Sequence, residues 1–92
     1  MNAKRRKEIG KILNKINERI MATVDEIQTD IDNIRTEELE VVENIPENLQ
    51  GTERYEMAEQ AVDYLNDAYD AFEDAVINLQ NAMSALEAAT GE

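Results

Sequence analysis

The chain has 92 residues, with 9 Lys and Arg against 21 Asp and Glu and a formal net charge of −12. A length of this order fits one small domain. There is no His, no Cys and no Trp, and the only serine is Ser84. That inventory excludes nucleophile–His pairs, thiolate chemistry and zinc sites built from His and Cys.

The basic start, Met1 to Lys7, continues into Glu8-Ile9-Gly10-Lys11, where a secretion signal would turn apolar. Residues 1–19 hold Lys4, Arg5, Arg6, Lys7, Lys11, Lys15 and Arg19 against Glu8 and Glu18, a net of +5. Residues 20–92 hold only Arg35 and Arg54 against 19 acids, a net of −17. No apolar run approaches the roughly 18 residues of a membrane span.

A first helix is expected over about residues 3–44. Its apolar stripe runs through Ile9, Leu13, Ile16, Ile20, Val24, Ile27, Ile31, Ile34, Glu38, Val41 and Ile45. The mean step is 3.6 residues, with two consecutive fours around Ile20. Such a stutter predicts a helix straighter than a strict heptad coil. Glu38, the one charge on the stripe, is expected to reach solvent near the turn.

Pro46 and Gly51 punctuate the segment 45–51, the one place that reads as a turn. A second helix is expected over about 52–90. Thr52 is its N-cap, Glu53 and Glu56 are favoured in its first turn by the helix dipole, and Thr90-Gly91 is its stop. Tyr55, Val62, Tyr69, Val76 and Met83 recur every seven residues, and Ala58, Leu65, Phe72, Leu79 and Leu86 follow each by three. This is an unbroken heptad seam, flanked by Ala61, Ala68, Ala75, Ala82 and Ala89.

The expected fold is all-α: an antiparallel two-helix hairpin forming a single domain. A lone hairpin covers each stripe on one side only, and so small a chain buries too little by itself. Dimerisation into a four-helix bundle follows as an expectation, with Leu65, Ala68, Phe72, Ala75, Leu79 and Ala82 on the self-association face. Within the hairpin the basic residues 4–19 come beside a tail whose only acids after Asp74 are Glu87 and Glu92. Packing two copies end over end would then set basic end against acidic flank.

On the second helix Glu56, Glu59, Asp63, Asp67, Asp70 and Asp74 are spaced 3, 4, 4, 3 and 4, which makes one acidic ridge. Like charges at these spacings repel, at a cost of about a few tenths of a kcal/mol per pair. With Asp25, Glu26, Asp30, Glu37 and Glu40 of the first helix, the ridge is the candidate partner-binding surface. It suits a basic groove built for phosphates.

Other chemistries fit less well. Asp30-Ile31-Asp32-Asn33 begins like a calcium loop, but Arg35 stands where that loop's glycine belongs. A di-metal bundle site wants Glu-x-x-His, and there is no His. Paired carboxylates are present by type, yet outward-facing helices offer no pocket for a hydrolase. No catalytic residue, metal or cofactor is expected. The basic residues 4–19 have membrane-surface or nucleic-acid character, opposed by the charge of the remainder.

The stretch Asn44-Ile45-Pro46-Glu47-Asn48-Leu49-Gln50-Gly51-Thr52-Glu53-Arg54-Tyr55-Glu56, continued by Ala58-Glu59 and Ala61-Val62-Asp63, resembles small acidic two-helix proteins of Gram-positive phages and prophages. The likeness covers roughly the second half of the chain, and the Pro-Glu-Asn-Leu-Gln-Gly turn carries it. It implies a phage accessory role in the cytoplasm of a host bacterium and no particular activity. In size and charge alone the chain also resembles inhibitors of host defence nucleases, including anti-CRISPR proteins that mimic DNA in a binding groove. Secreted WXG-type hairpins are set aside, since their turn carries Trp-x-Gly and this one reads Asn48-Leu49-Gln50-Gly51.

The functional expectation is a non-catalytic inhibitor whose acidic surface occupies a basic nucleic-acid-binding groove. The alternative is an assembly coiled coil of a phage, with the acids merely solubilising. A third class is tethering through residues 4–19.

Overall fold

The first helix opens at Asn2, whose side-chain oxygen accepts the Arg5 backbone N–H at 2.9 Å. Such a cap satisfies a donor that the first turn leaves without an intrahelical partner. In the computed structural model, which describes residues 1–91, helix α1 spans Ala3–Lys15 and continues through a π-helical turn, Ile16–Met21, into α2, Ala22–Asn44. A 3₁₀ turn at Glu47–Leu49 follows, and α3 spans Glu53–Ala89. The described residues are all-α, two long helical stretches with no sheet. Glu92 lies outside the described residues.

The turn closes on itself. The Leu49 N–H donates to the Pro46 carbonyl at 2.8 Å, and the Thr52 N–H donates to the Leu49 carbonyl at 3.2 Å. Thr52 caps α3, its hydroxyl accepting the Tyr55 N–H at 3.4 Å, with Glu53 and Glu56 in the first turn. At the far end Gly91 has φ +83°, a left-handed conformation open to glycine that stops a helix.

The π turn corrects the expected stripe. It inserts one residue, so the half-buried position after Ile16 is Met21, and Ile20 is 44% exposed. Downstream, Val24, Gln28, Ile31, Arg35, Glu38, Val42 and Ile45 are half-buried at alternating steps of four and three, with Ile27 and Asp32 half-buried on the flanks. One residue turns a helix by about 100°, so Ile34 and Val41 move off the seam to 50% and 43% exposure. The stutter is thus absorbed locally, and a heptad repeat follows it. At the edge of the loosened ladder the Thr23 hydroxyl donates to the Arg19 carbonyl at 2.6 Å. Glu38 is half-buried and still meets solvent.

The chain forms two units. One comprises Met1–Glu26 with Phe72–Glu92. In it Ile9, Leu13, Ile16 and Val24 are half-buried, as are Phe72, Ala75, Val76, Leu79, Met83 and Leu86. The Arg6 side chain donates to the Thr90 carbonyl at 3.1 Å, fixing the start of α1 beside the end of α3.

The other unit, Ile27–Ala71, is a helical hairpin around the turn. Ala58, 9% exposed, is its most buried residue. Its α2 seam contributes polar groups as well as apolar ones. The Arg35 guanidinium donates to Asn66 Oδ1 at 3.1 Å, pairs with Asp32, and lies 4.5 Å over the Tyr69 ring. Gln28 Nε2 donates to the Tyr69 carbonyl at 3.5 Å. A charge with specific partners in a seam fixes register, because a slipped pairing would strand it.

Arg35→Ala should therefore destabilise the fold by about 1–2 kcal/mol, the sum of a charge-assisted hydrogen bond and a cation–π contact at a partly exposed site. Thermal unfolding followed by circular dichroism should show Tm falling by roughly 5–15 °C. An unchanged Tm would remove Arg35 from any role in holding the hairpin.

Candidate binding surfaces

The ridge on α3 is built from the positions the seam leaves outside. Tyr55, Ala58, Val62, Leu65 and Tyr69 turn inward, so Glu56, Glu59, Asp63, Asp67 and Asp70 turn outward in residues 27–71. All five are exposed, and so is Asp74, which belongs to the other unit. No salt bridge engages these carboxylates among the described residues, the recorded pair being Arg35 with Asp32. A row of solvated carboxylates at helical spacing attracts cations.

The acids of the first helix that were expected to assist the ridge are Asp25, Glu26, Asp30, Glu37 and Glu40, and all are exposed. Glu37 and Glu40 line an open groove of about 690 Å³ beside the turn, with Val41, Ile45, Leu49 and Arg54. Glu59 and Asp63 line a smaller groove of about 210 Å³ with Leu39, Val42 and Val62. Glu40 and Glu59 thus border different depressions.

The residues expected at a self-association face divide by unit. Leu65 and Ala68 are half-buried in the hairpin of residues 27–71. Phe72, Ala75 and Leu79 are half-buried in the other unit, where Ala82 is exposed. Tyr55, Tyr69 and Phe72 sit half-buried in the seam, so packing accounts for the aromatics. Tyr64, off the seam, is 64% exposed, and Met57 beside it on α3 is 62% exposed. Met57 and Tyr64 fall outside the heptad seam of α3, seven residues apart on one face of the helix.

No helix among the described residues is long and apolar enough to cross a membrane. Among them, no group of three or more acidic side chains is placed to hold a metal ion. Comparison with protein-family models, with curated proteins and with solved structures returns no match. The functional reading therefore rests on the surfaces themselves.

Proposed function

We propose that this protein acts by binding and without catalysis, its acidic ridge occupying a basic, nucleic-acid-binding groove of a partner protein. The observation behind this reading is the exposure of Glu56, Glu59, Asp63, Asp67, Asp70 and Asp74, none of them neutralised by a salt bridge among the described residues. A groove lined with Lys and Arg for phosphates offers such a row the cations it lacks. The role is that of a phage-type inhibitor of a host defence nuclease, anti-CRISPR-like in that it mimics DNA, in the cytoplasm of a bacterial host. Lysine at Asp63, Asp67 and Asp70 together removes the surface this reading requires, so loss of partner capture by that variant tests it.

The protein works, on the same reading, as a homodimer packed into a four-helix bundle. Support comes from the scarcity of burial: Ala58 is the sole residue in the buried core among the described residues, while Ile12, Ile20, Ile34, Leu39, Val41, Met57, Tyr64 and Ile77 are each more than 40% exposed. Apolar surface in this proportion marks an interaction face.

That same exposure favours a second reading, an assembly coiled coil in which the apolar faces carry the function and the acids keep the protein soluble. The two separate on mutation. Ridge reversal silences the inhibitor and spares the assembly protein, whereas disruption at Leu65 or Ala68 silences both.

A further inference from the structure

Of the exposed large apolar residues of residues 27–71, Ile34, Val41, Met57 and Tyr64 fall on two stripes, while Leu39 lies apart from them in the smaller groove. On α2, half-buried Ile27 and exposed Ile34 and Val41 recur every seven residues, each one position before Gln28, Arg35 or Val42, which are half-buried. On α3, exposed Met57, Tyr64 and Ala71 alternate with half-buried Ala61 and Ala68, at spacings of 4, 3, 4 and 3. The groove at the turn joins the two stripes. It is lined by Val41 from the first and by Arg54, seven residues before Ala61, from the second. Leu39 and Glu59, about 200° away around their respective helices, line the other groove. One side of this hairpin therefore carries four of its exposed large apolar residues, Ile34, Val41, Met57 and Tyr64, with Asp30, Glu37 and Glu40 along its border.

An occupant of this face has to offer apolar side chains at helical spacing and cations beside them. The chain contains one segment of that chemistry. Residues 1–19 carry a net +5, against thirteen acids and two bases in residues 27–71, a net of −11. Its inward face is committed, since Ile9, Leu13 and Ile16 are half-buried within their own unit. Its outward face holds Ile12 and Ile20, each 44% exposed, with Lys11, Lys15 and Arg19 as an exposed row at four-residue spacing beside them.

We propose that a second copy of this chain seats this basic amphipathic segment on the apolar side of residues 27–71, Ile12 and Ile20 facing Ile34, Val41 and Tyr64, and Lys11, Lys15 and Arg19 meeting Asp30, Glu37 and Glu40. The contact is reciprocal, so each copy gives and receives one segment and the assembly closes at two. This arrangement rests on the homodimer proposed above and assigns its surfaces. It leaves the α3 ridge outside the interface and open to a partner.

The test uses sedimentation equilibrium of the full chain at low salt, where attraction between exposed charges is least screened. One variant carries Lys11→Glu, Lys15→Glu and Arg19→Glu, and a second carries Asp30→Lys, Glu37→Lys and Glu40→Lys. All six positions are exposed, and circular dichroism verifies that each variant keeps its helix content. The wild type is expected to be dimeric. Each variant alone should dimerise at least tenfold more weakly, because like charges then face each other in both contacts. An equimolar mixture should recover the dimer, since both contacts again join opposite charges. Variants that dimerise as tightly as the wild type, or a mixture that stays monomeric, overturn the arrangement while leaving a homodimer in place. A monomeric wild type overturns the dimer itself.

Discussion

Replacing Asp63, Asp67 and Asp70 by lysine together should abolish partner binding while leaving the helix content unchanged. The three side chains are exposed on α3 and form no salt bridge among the described residues, so no ion pair of the fold is lost with their charge. The substitution takes the net charge from −12 to −6, two units for each of three positions. It also creates Glu59–Lys and Lys–Asp74 pairs at four-residue spacing, each worth about 0.2–0.5 kcal/mol to the helix. At the interface each reversal turns attraction into repulsion of about 1 kcal/mol for charges 4 Å apart in water. Three of them amount to at least about 3 kcal/mol, or more than a hundredfold in affinity. Circular dichroism checks the fold and a capture assay checks the binding. A variant that still binds within threefold of the wild type would remove the ridge from the function and leave the assembly reading.

Leu65→Asp should have the opposite pattern, a loss of fold and of every binding activity together. Leu65 is half-buried in the seam of α3 within residues 27–71, where the nearest polar anchor, Asn66, already accepts from Arg35. The substitution gives up part of the about 1.5–3 kcal/mol that a fully buried leucine contributes, and desolvation of a carboxylate in the seam adds about 1–3 kcal/mol. Against a total stability of about 5–15 kcal/mol, a loss of roughly 3 kcal/mol or more is large. It should lower Tm by more than about 12 °C for a domain of this size. Ala68→Glu on the flank of the same seam should act in the same direction by overpacking. A Leu65→Asp variant that keeps its Tm would show that the seam contributes little to the hairpin.

The second helix was the more legible of the two, because a single phase satisfies all ten of its heptad positions from Tyr55 to Leu86. Its start was legible as well, since Thr52 follows Pro46 and Gly51 and precedes two acids, and the hydroxyl does accept the Tyr55 N–H. The first helix misled at its stutter. Steps of four on both sides of Ile20 fit a straight helix of 3.6 residues per turn as readily as a π turn followed by a strict heptad. Hydrophobicity favoured the first choice, as it assigns Ile34 and Val41 to the seam. The fold takes the second, with Arg35 satisfied by Asn66, Asp32 and Tyr69 in the place an isoleucine was expected. An arginine can occupy such a position when its partners come from the facing helix, and single-chain periodicity carries no sign of them.

The same shift decides how the surfaces are read. With Ile34 and Val41 on the seam, the first helix would have been acidic on its outward side, and Glu37 and Glu40 would have joined the ridge. With those residues exposed, Glu37 and Glu40 line the groove beside the turn together with Val41.

Affinity capture from bacterial lysate with the tagged full chain, at about 0.15 M and again at about 0.5 M salt, tests the central claim most directly, since groove mimicry depends on charge that salt screens. The captured proteins are identified, and duplex DNA is added as a competitor. The expected result is a nuclease or other nucleic-acid-binding protein, held at the lower salt, lost at the higher, and released by DNA. Retention indifferent to both salt and DNA, or capture of the chain itself alone, would contradict an acidic surface that takes the place of nucleic acid.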